Sequence, residues 1–216
     1  MKLKILLLFS FIFCLYTIGI VKASTLPLLG KVIYLDPGHG GKDPGAISGD
    51  LRESDLNLAI TIKLQEELEK NGAIVYLTRY GDYDLSTTTI QRKRSDLSRR
   101  ANIINDSGAD VYLSIHLNAD VSSKWQGAQI FYDDVNENNK ELASIIQKSL
   151  KEDLNTTRNY KKINNHYMYQ RISVKGILIE AGFITNPNER YLLKQTDYQI
   201  KLSKSITKGI INYFAK

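Results

Sequence analysis

Short apolar runs rich in β-branched residues alternate with longer amphipathic segments along most of the chain. The short runs predict five strands, over residues 31–36, 73–78, 111–116, 128–132 and 175–180. The longer segments predict helices over 53–71, 95–107, 136–150 and 198–214. In the first helix an apolar residue recurs every four positions from Leu56 to Leu68, and Asn71-Gly72 ends the run. Strands alternating with helices predict an α/β fold, a single three-layer α/β/α domain with a mostly parallel central sheet.

Polar side chains gather where these predicted strands end. Residues 36–39 follow the first strand, His116 ends the third and Glu180 ends the fifth. Glu53 begins the first helix just after a glycine-rich loop. Ligands of such sheets bind at the carboxyl ends of the strands. We therefore expect these residues to meet at one edge of the sheet.

The first 23 residues have the pattern of a targeting segment. Lysines at positions 2 and 4 precede an apolar run over 5–21, and Val21-Lys22-Ala23 offers a small-residue cleavage site before Ser24. The alternative is an uncleaved membrane anchor, because the run is close to the shortest length that spans a bilayer, about 17 residues. Either alternative predicts an exported, extracytoplasmic protein with a short linker over 24–30 and one domain over 31–216.

The composition limits the kinds of metal site and of binding partner that the chain can have. The chain has 216 residues, 43% hydrophobic and 24% charged, as in an ordinary globular protein. Its one cysteine, Cys14, lies in the N-terminal apolar run, so a metal site must use histidines and carboxylates. The net charge is +6, and +3 without residues 1–23. This small excess suits an anionic wall polymer and argues against a nucleic-acid partner.

Two of the three histidines have the surroundings of metal ligands. His39 lies in a loop with three glycines, and His116 ends an apolar strand. With Glu53 they would form one of the standard catalytic zinc sets, with a fourth position left for water. The alternative for either histidine alone is an ordinary core residue. His166 has neither a glycine turn nor a strand end, and is predicted to be a surface or groove residue.

Glu180 stands directly after an apolar strand, where an ionised carboxylate is costly to desolvate. Such a residue needs either a partner or a function. A general base beside a catalytic metal would account for it. A buried ion pair with an arginine is the competing explanation.

Four separated motifs resemble those of one enzyme family, and they occur in the same order. They are Asp36-Pro-Gly-His-Gly-Gly41, Arg52-Glu53, Ser114-Ile-His-Leu-Asn-Ala119 and Glu180-Ala-Gly-Phe-Ile-Thr-Asn-Pro187. Together they resemble the zinc-dependent N-acetylmuramoyl-L-alanine amidases of the amidase_3 type, from about residue 31 to the C-terminus. The resemblance implies that His39, Glu53 and His116 hold one Zn²⁺ ion. It also implies that Glu180 is the catalytic glutamate in hydrolysis of the amide between N-acetylmuramic acid and L-alanine in peptidoglycan. Arg100 resembles the family's arginine on the preceding helix, and helix-surface, fold-stabilising and substrate-binding roles stay open.

The layout, one exported domain without wall-binding repeats, is similar to that of the spore-cortex amidases of endospore-forming bacteria. It implies action on cortex peptidoglycan on the route to muramic-δ-lactam, and it leaves room for a protein partner or activator. Two rivals are a zinc peptidase that cuts within the stem peptide and a non-catalytic wall-binding or regulatory protein on the same fold. The polar stretch before the fifth strand is either a substrate groove or an ordinary solvated loop; its candidate contacts are Arg158, Lys161, Lys162, Tyr167 and Tyr169.

Overall fold

A six-stranded sheet stands at the centre of the computed structural model, which describes residues 26–216. The predicted signal peptide or anchor, residues 1–23, lies outside the described residues, as do the first two residues of the predicted linker. Residues 27–30 form a turn, and Leu28 within it is fully buried in the core. The folded body therefore includes this part of the predicted linker.

The strands and helices follow the predicted order, with ends that differ by a few residues. The strands are β1 (Val32–Pro37), β2 (Ile47–Ser48), β3 (Leu51–Arg52), β4 (Ile74–Leu77), β5 (Val111–Asn118), β6 (Gln129–Tyr132), β7 (Lys161–Lys162) and β8 (Gly176–Phe183). The helices are α1 (Glu53–Lys70), α2 (Arg92–Asp106), α3 (Asn139–Leu154), α4 (Pro187–Leu193) and α5 (Thr196–Phe214), with a 3₁₀ turn at Tyr169–Arg171.

The main sheet has the strand order β4-β1-β5-β8-β6-β7. Neighbouring strands run parallel except for β6, which pairs antiparallel with β8. The predicted α/β fold with a mostly parallel sheet is therefore confirmed. In the register of β5 and β8, His116 stands opposite Glu180, so two of the predicted site residues are neighbours across one strand pair.

Alternate residues of the central strand β5 face two different layers. Leu113 and Ile115 belong to the main core, which includes the apolar faces of α1, α3 and α5. Tyr112 belongs to a second cluster that is formed with Ala101 and Ile104 of α2 and with the segment around the 3₁₀ turn. The sheet is thus covered on both faces, as the three-layer prediction requires. Among residues 26–216, no helix is both long enough and apolar enough to cross a membrane.

The short elements β2, β3, β7 and α4 were not predicted. A strand of two residues is too short to show an alternating pattern. Helix α4 has a clear local cause, because Pro187 occupies its first turn and the Asn186 side chain accepts hydrogen bonds from the backbone N–H groups of Asn188 and Glu189. This helix follows directly from the end of β8 and fixes the chain beyond Glu180.

Candidate metal centre

The loop that follows β1 brings His39 against His116 through a backbone that few residues can adopt. His39 itself has φ 63°, in the left-handed region, and Gly40 after it has φ 123°. A Cβ atom on Gly38 would lie 2.2 Å from the His116 ring. Only glycine therefore lets the backbone pass this close to the second imidazole.

Two buried arginines hold the carbonyl groups of this loop. Arg79 donates to the carbonyl oxygens of Pro37 and Gly38, each at 2.9 Å. Arg100 donates to those of Pro37 at 2.9 Å and of His39 at 2.6 Å. Because both guanidinium groups are 1% exposed, these bonds are made away from water and fix the loop from beneath. The helix-surface alternative for Arg100 is wrong, and the contacts support the fold-stabilising one.

Asp36 is one of two buried carboxylates that pair with Arg100. Asp36 accepts from Arg100 at 2.8 Å, from Thr78 at 2.7 Å and from Ser114 at 2.8 Å. Burial works to raise the pKa of Asp36, but the Arg100 guanidinium and these hydrogen bonds outweigh it and hold the pKa below its usual value. The Tyr169 hydroxyl adds a bond to Ser114 at 3.3 Å, which ties the 3₁₀ turn to the same network.

Three side chains converge at the edge of the sheet as a candidate metal centre. His39 Nε2 lies 3.2 Å and His116 Nδ1 lies 3.0 Å from the same oxygen, Oε1 of Glu53. One ligand atom from each residue lies within 4.8 Å of the other two, close enough to share one ion. Two imidazole nitrogens and one carboxylate oxygen are a donor set that suits catalytic zinc.

The Glu53 carboxylate is held in place by its surroundings. Its Oε2 accepts from the Ala46 backbone N–H at 2.9 Å, and its Oε1 accepts from that of Leu117 at 3.1 Å and from Asn57 at 3.2 Å. Burial works to raise the pKa of Glu53, but hydrogen bonds with His116 and His39 hold it well below its usual range. The group is therefore a preorganised anionic ligand.

Asp43 orients His39 from the other side of the ring. Its Oδ2 lies 3.0 Å from His39 Nδ1, which leaves Nε2 facing Glu53. Burial works to lower the pKa of His39, but hydrogen bonds with Glu53 and Asp43 raise it overall. A carboxylate behind a ligating imidazole is a common arrangement at protein zinc sites, where it fixes the tautomer.

Glu180 lies beside this cluster, half-buried and without an ion pair, with its Oε2 atom fully buried. Its Oε2 has no hydrogen-bond partner among residues 26–216, and none of the ion pairs formed by these residues includes it. The competing explanation, a buried pair with an arginine, is therefore wrong for the described part of the chain. Burial raises the pKa of Glu180 to about 7, with His116 lowering it and Glu53 raising it to a smaller extent. A buried carboxyl group with an unpartnered oxygen is what a proton-transfer residue beside a metal would require.

A cleft leads away from the metal centre along the second cluster. Its lining includes His39 and His116 as well as Lys93, His166 and Tyr167. His166 is exposed, and its ring stacks 5.9 Å from that of Tyr169. The predicted surface or groove position of His166 thus agrees with the structure.

The other groove candidates are dispersed. Tyr167 and Tyr169 both line the cleft, although Tyr169 is largely buried and its hydroxyl donates to Ser114. Lys162 pairs with Asp134 at the sheet edge, and Lys161 beside it is exposed. Arg158 packs elsewhere, between two aromatic rings. The five residues therefore do not form one groove.

Sequence reasoning missed several residues that support the site. Arg79, Asn57 and Asp43 were not singled out, although each contacts a candidate ligand or its loop. The position of Asp43, four residues after His39 in a glycine-rich loop, was an available signal. Arg79 had none, because its contacts depend on how the loop after β4 folds back under the β1 loop.

Comparison with known proteins gives concordant findings. The family model Amidase_3, N-acetylmuramoyl-L-alanine amidase, matches residues 33–212. The germination-specific N-acetylmuramoyl-L-alanine amidase of Bacillus subtilis (strain 168) is 44% identical over 98% of this chain and 92% of its own length. The amidase LytC of the same strain is 34% identical over 87% of this chain, which spans 36% of LytC. Among solved structures, the CwlD amidase from Clostridioides difficile in complex with the GerS lipoprotein is similar with a TM-score of 0.81 and 40% identity, over 86% of this chain and 98% of that chain.

Proposed function

Because this chain belongs to the Amidase_3 family of N-acetylmuramoyl-L-alanine amidases, which cleave peptidoglycan, we propose that it works with one zinc ion held by His39, Glu53 and His116. The proposed reaction is hydrolysis of the amide that joins the lactyl group of N-acetylmuramic acid to L-alanine. The observation that carries the zinc assignment is the convergence of two imidazoles on one carboxylate oxygen, at 3.2 and 3.0 Å.

The surroundings of the three groups support a catalytic rather than a structural ion. Three protein ligands leave one coordination position open, whereas structural zinc sites use four. Glu180, with its unpartnered Oε2, lies across the strand pair from His116. A structural site would have no use for a carboxyl group whose buried oxygen has no hydrogen-bond partner.

The residues of the chain divide the chemistry between them. A zinc ion with an open position supplies Lewis-acid polarisation of the amide carbonyl and activation of water. Glu180 acts as the general base that accepts a proton from the attacking water. It then returns the proton to the amine of L-alanine, which is a very poor leaving group unless it is protonated. The products are a free lactyl carboxylate on the glycan and a peptide with a free α-amino group.

The arginine-held loop keeps His39 ready for this reaction. Arg79 and Arg100 fix three successive carbonyls from Pro37 to His39, and Asp43 fixes the ring. These contacts hold the imidazole in position without help from substrate, which lowers the reorganisation needed during catalysis.

We further propose that the substrate is spore-cortex peptidoglycan and that the reaction is a step towards muramic-δ-lactam. Support comes from the germination-specific relative, which matches nearly the full length of both chains. Action on the cortex implies an extracytoplasmic location, in line with the predicted targeting segment over residues 1–23. A protein partner also belongs to this proposal, because the similar CwlD amidase was solved in complex with a lipoprotein.

Metal analysis and product analysis test the proposal together. Purified full-length protein is expected to contain one zinc per chain, to lose peptide release from sacculi after chelation, and to regain it with Zn²⁺. Mass spectrometry of the products is expected to show intact stem peptides that begin with a free L-alanine. Fragments cut within the stem peptide would instead support the zinc peptidase alternative.

A sporulation experiment tests the cortex role separately. Spores whose only copy carries Glu180→Gln are expected to have a cortex without muramic-δ-lactam, whereas the exposed control Glu137→Gln keeps it. A normal muramic-δ-lactam content in the Glu180→Gln spores would contradict the cortex assignment and leave the amidase chemistry intact.

A further inference from the structure

The loop between β5 and β6, residues 119–128, carries the one tryptophan of the chain in an exposed position. Trp125 is 53% exposed, which is unusual for so large an apolar side chain. Its immediate neighbours are polar: Ser122, Ser123 and Lys124 precede it and Gln126 follows, and the one other exposed large apolar residue of the loop is Val121. An exposed indole in a polar loop is unlike the apolar patches by which proteins dock to one another.

The loop is held rigidly against its neighbours. Hydrogen bonds of 2.8–2.9 Å join Ser123 to Asn186, Gln126 to Arg158, and Gly127 to Glu189. The partners come from the segment just beyond β8 and from the stretch before β7. The exposure of Trp125 is therefore a property of a fixed surface.

An arginine packs against the indole ring of Trp125. The Arg158 guanidinium lies 5.2 Å from the centre of the Trp125 ring and 4.5 Å from that of Phe183, so it is held between two aromatic faces. It also donates to Gln126 and to Gln129. This arrangement fixes the plane of the indole and leaves about half of its surface to solvent.

The loop that carries Trp125 begins at the same edge of the sheet as the candidate metal centre. It leaves β5 after Asn118, two residues beyond His116. Asn118 pairs with Phe183, which lies three residues beyond Glu180, or about 10 Å along the strand. The contacts from Phe183 through Arg158 then lead to Trp125. This series of contacts links the indole to the strand end that carries Glu180.

We infer that Trp125, supported by Arg158, is a saccharide-stacking platform that binds the glycan strand of peptidoglycan beside the site of cleavage. This inference rests on the proposed function, because the scissile amide joins a glycan to a peptide. When the amide is at the metal centre, the glycan continues along the sheet edge on one side of it. The C–H face of a pyranose ring packs on an indole face, and the flanking hydroxyl and amide groups suit sugar hydroxyls and N-acetyl groups.

Because the chain has a single tryptophan, its fluorescence reports on this site alone. The probe is a β-1,4-linked tetramer of N-acetylglucosamine, which resembles the glycan backbone but has no peptide. In the full-length protein the tetramer is expected to cause a saturable change in tryptophan emission. By calorimetry, Trp125→Ala is expected to bind it about ten-fold more weakly and Trp125→Phe to keep most of the affinity.

Kinetics on sacculi separate a binding role from a structural one. Trp125→Ala is expected to raise KM about ten-fold and to leave kcat and the zinc content unchanged. The matched control is Tyr76→Ala, which removes a similarly exposed aromatic ring, 48% exposed, from the edge strand β4. This control is expected to leave KM, kcat and zinc content unchanged.

Several results would overturn the platform. One is a tryptophan emission spectrum that the tetramer leaves unaltered. Others are a Trp125→Ala variant with unchanged KM, or with a lower kcat or zinc content. The last is a Trp125→Ala variant that loses self-association of the protein and keeps its affinity for the glycan. Wild-type protein that holds no zinc or cuts another bond would refute the proposed function instead. Wild-type protein that cleaves sacculi normally, with an indistinguishable Trp125→Ala variant, would refute the platform alone.

Discussion

Replacing Glu180 with glutamine is expected to make the protein more stable and much less active. The change keeps the size of the side chain and removes its charge. Because Glu180 is a general base in the proposed mechanism, peptide release from sacculi should fall by about 10²–10⁴-fold. The effect on stability follows from the burial of the same carboxyl group.

The magnitude comes from the pKa of Glu180, which burial raises from 4.5 to about 7. Below pH 4.5 the group is protonated in the folded and the unfolded chain, and it contributes no difference. As the pH rises from 4.5 to 7, the unfolded chain ionises first, so stability is lost, and the loss is complete above pH 7. The full loss is about 3 kcal/mol, since one pKa unit corresponds to about 1.4 kcal/mol.

Urea unfolding of chelator-treated protein at pH 5 and pH 8 measures this contribution. The stability gain of Glu180→Gln over wild type should be roughly 2–3 kcal/mol larger at pH 8 than at pH 5. The matched control Glu137→Gln, at an exposed position, should show the same stability as wild type at both values. A Glu180→Gln gain that is equal at the two pH values would refute the assigned burial effect, and near-normal turnover would refute the catalytic role.

Three further variants probe the surroundings of the site. Gly38→Ala places a Cβ 2.2 Å from the His116 ring, so zinc affinity measured by chelator competition should fall at least about ten-fold while the circular dichroism spectrum stays native; unchanged affinity would contradict the close approach. Arg79→Met removes two charge-assisted hydrogen bonds to the β1 loop, while Pro37 and Gly38 keep the bonds from Arg100 and Asn57; it should cost about 3 kcal/mol in urea unfolding, and a loss under about 1 kcal/mol would contradict the role given to Arg79. Asp36→Asn removes one of the two carboxylate partners of Arg100, the other being Asp96, and should cost about 3 kcal/mol at pH 7, the lower end of the range for a broken buried ion pair. Because the pKa of Asp36 is lower when folded, its contribution is present above the unfolded value of about 3.9 and is lost as the pH falls through the folded value. Thermal unfolding at pH 3 and pH 7 should therefore show a smaller gap between Asp36→Asn and wild type at pH 3, and a constant gap would contradict the linkage.

Much of the fold could be predicted because its strands and helices are long enough to show their periods. The four-residue spacing from Leu56 to Leu68 marks the face of α1 that is buried in the main core. The directions of the strands were harder to predict from the sequence. Nothing in the apolar run of β6 indicates that it pairs antiparallel with β8, because strand direction depends on the path of the connections.

The candidate site likewise contains residues that the sequence could predict and residues that it could not. His39, Glu53, His116 and Glu180 could be named from short motifs, because glycines and strand ends mark them locally. The supports of these residues are non-local. Arg79 reaches Pro37 across 42 positions of sequence, and Asn57 reaches Gly38 across 19. Contacts of this kind follow from the packing of loops, which leaves no period in the sequence. The basic residues Lys161 and Lys162 were candidates for a substrate groove that the structure does not show, because charge alone does not indicate a common groove.

The origin of the three candidate ligands has a consequence for the maturation of the protein. His39 follows β1, Glu53 opens α1 and His116 lies near the end of β5, so no fragment short of the assembled β1–α1–β5 unit presents a complete coordination set. An ion that binds only this assembled unit adds stability by mass action, about 2.7 kcal/mol at a free concentration one hundred times its dissociation constant. Under the proposed zinc assignment, tight binding of the ion therefore requires that this unit has assembled. Under the proposed zinc assignment and extracytoplasmic location, the supply of zinc outside the cytoplasm would set how long the enzyme resists unfolding and proteolysis.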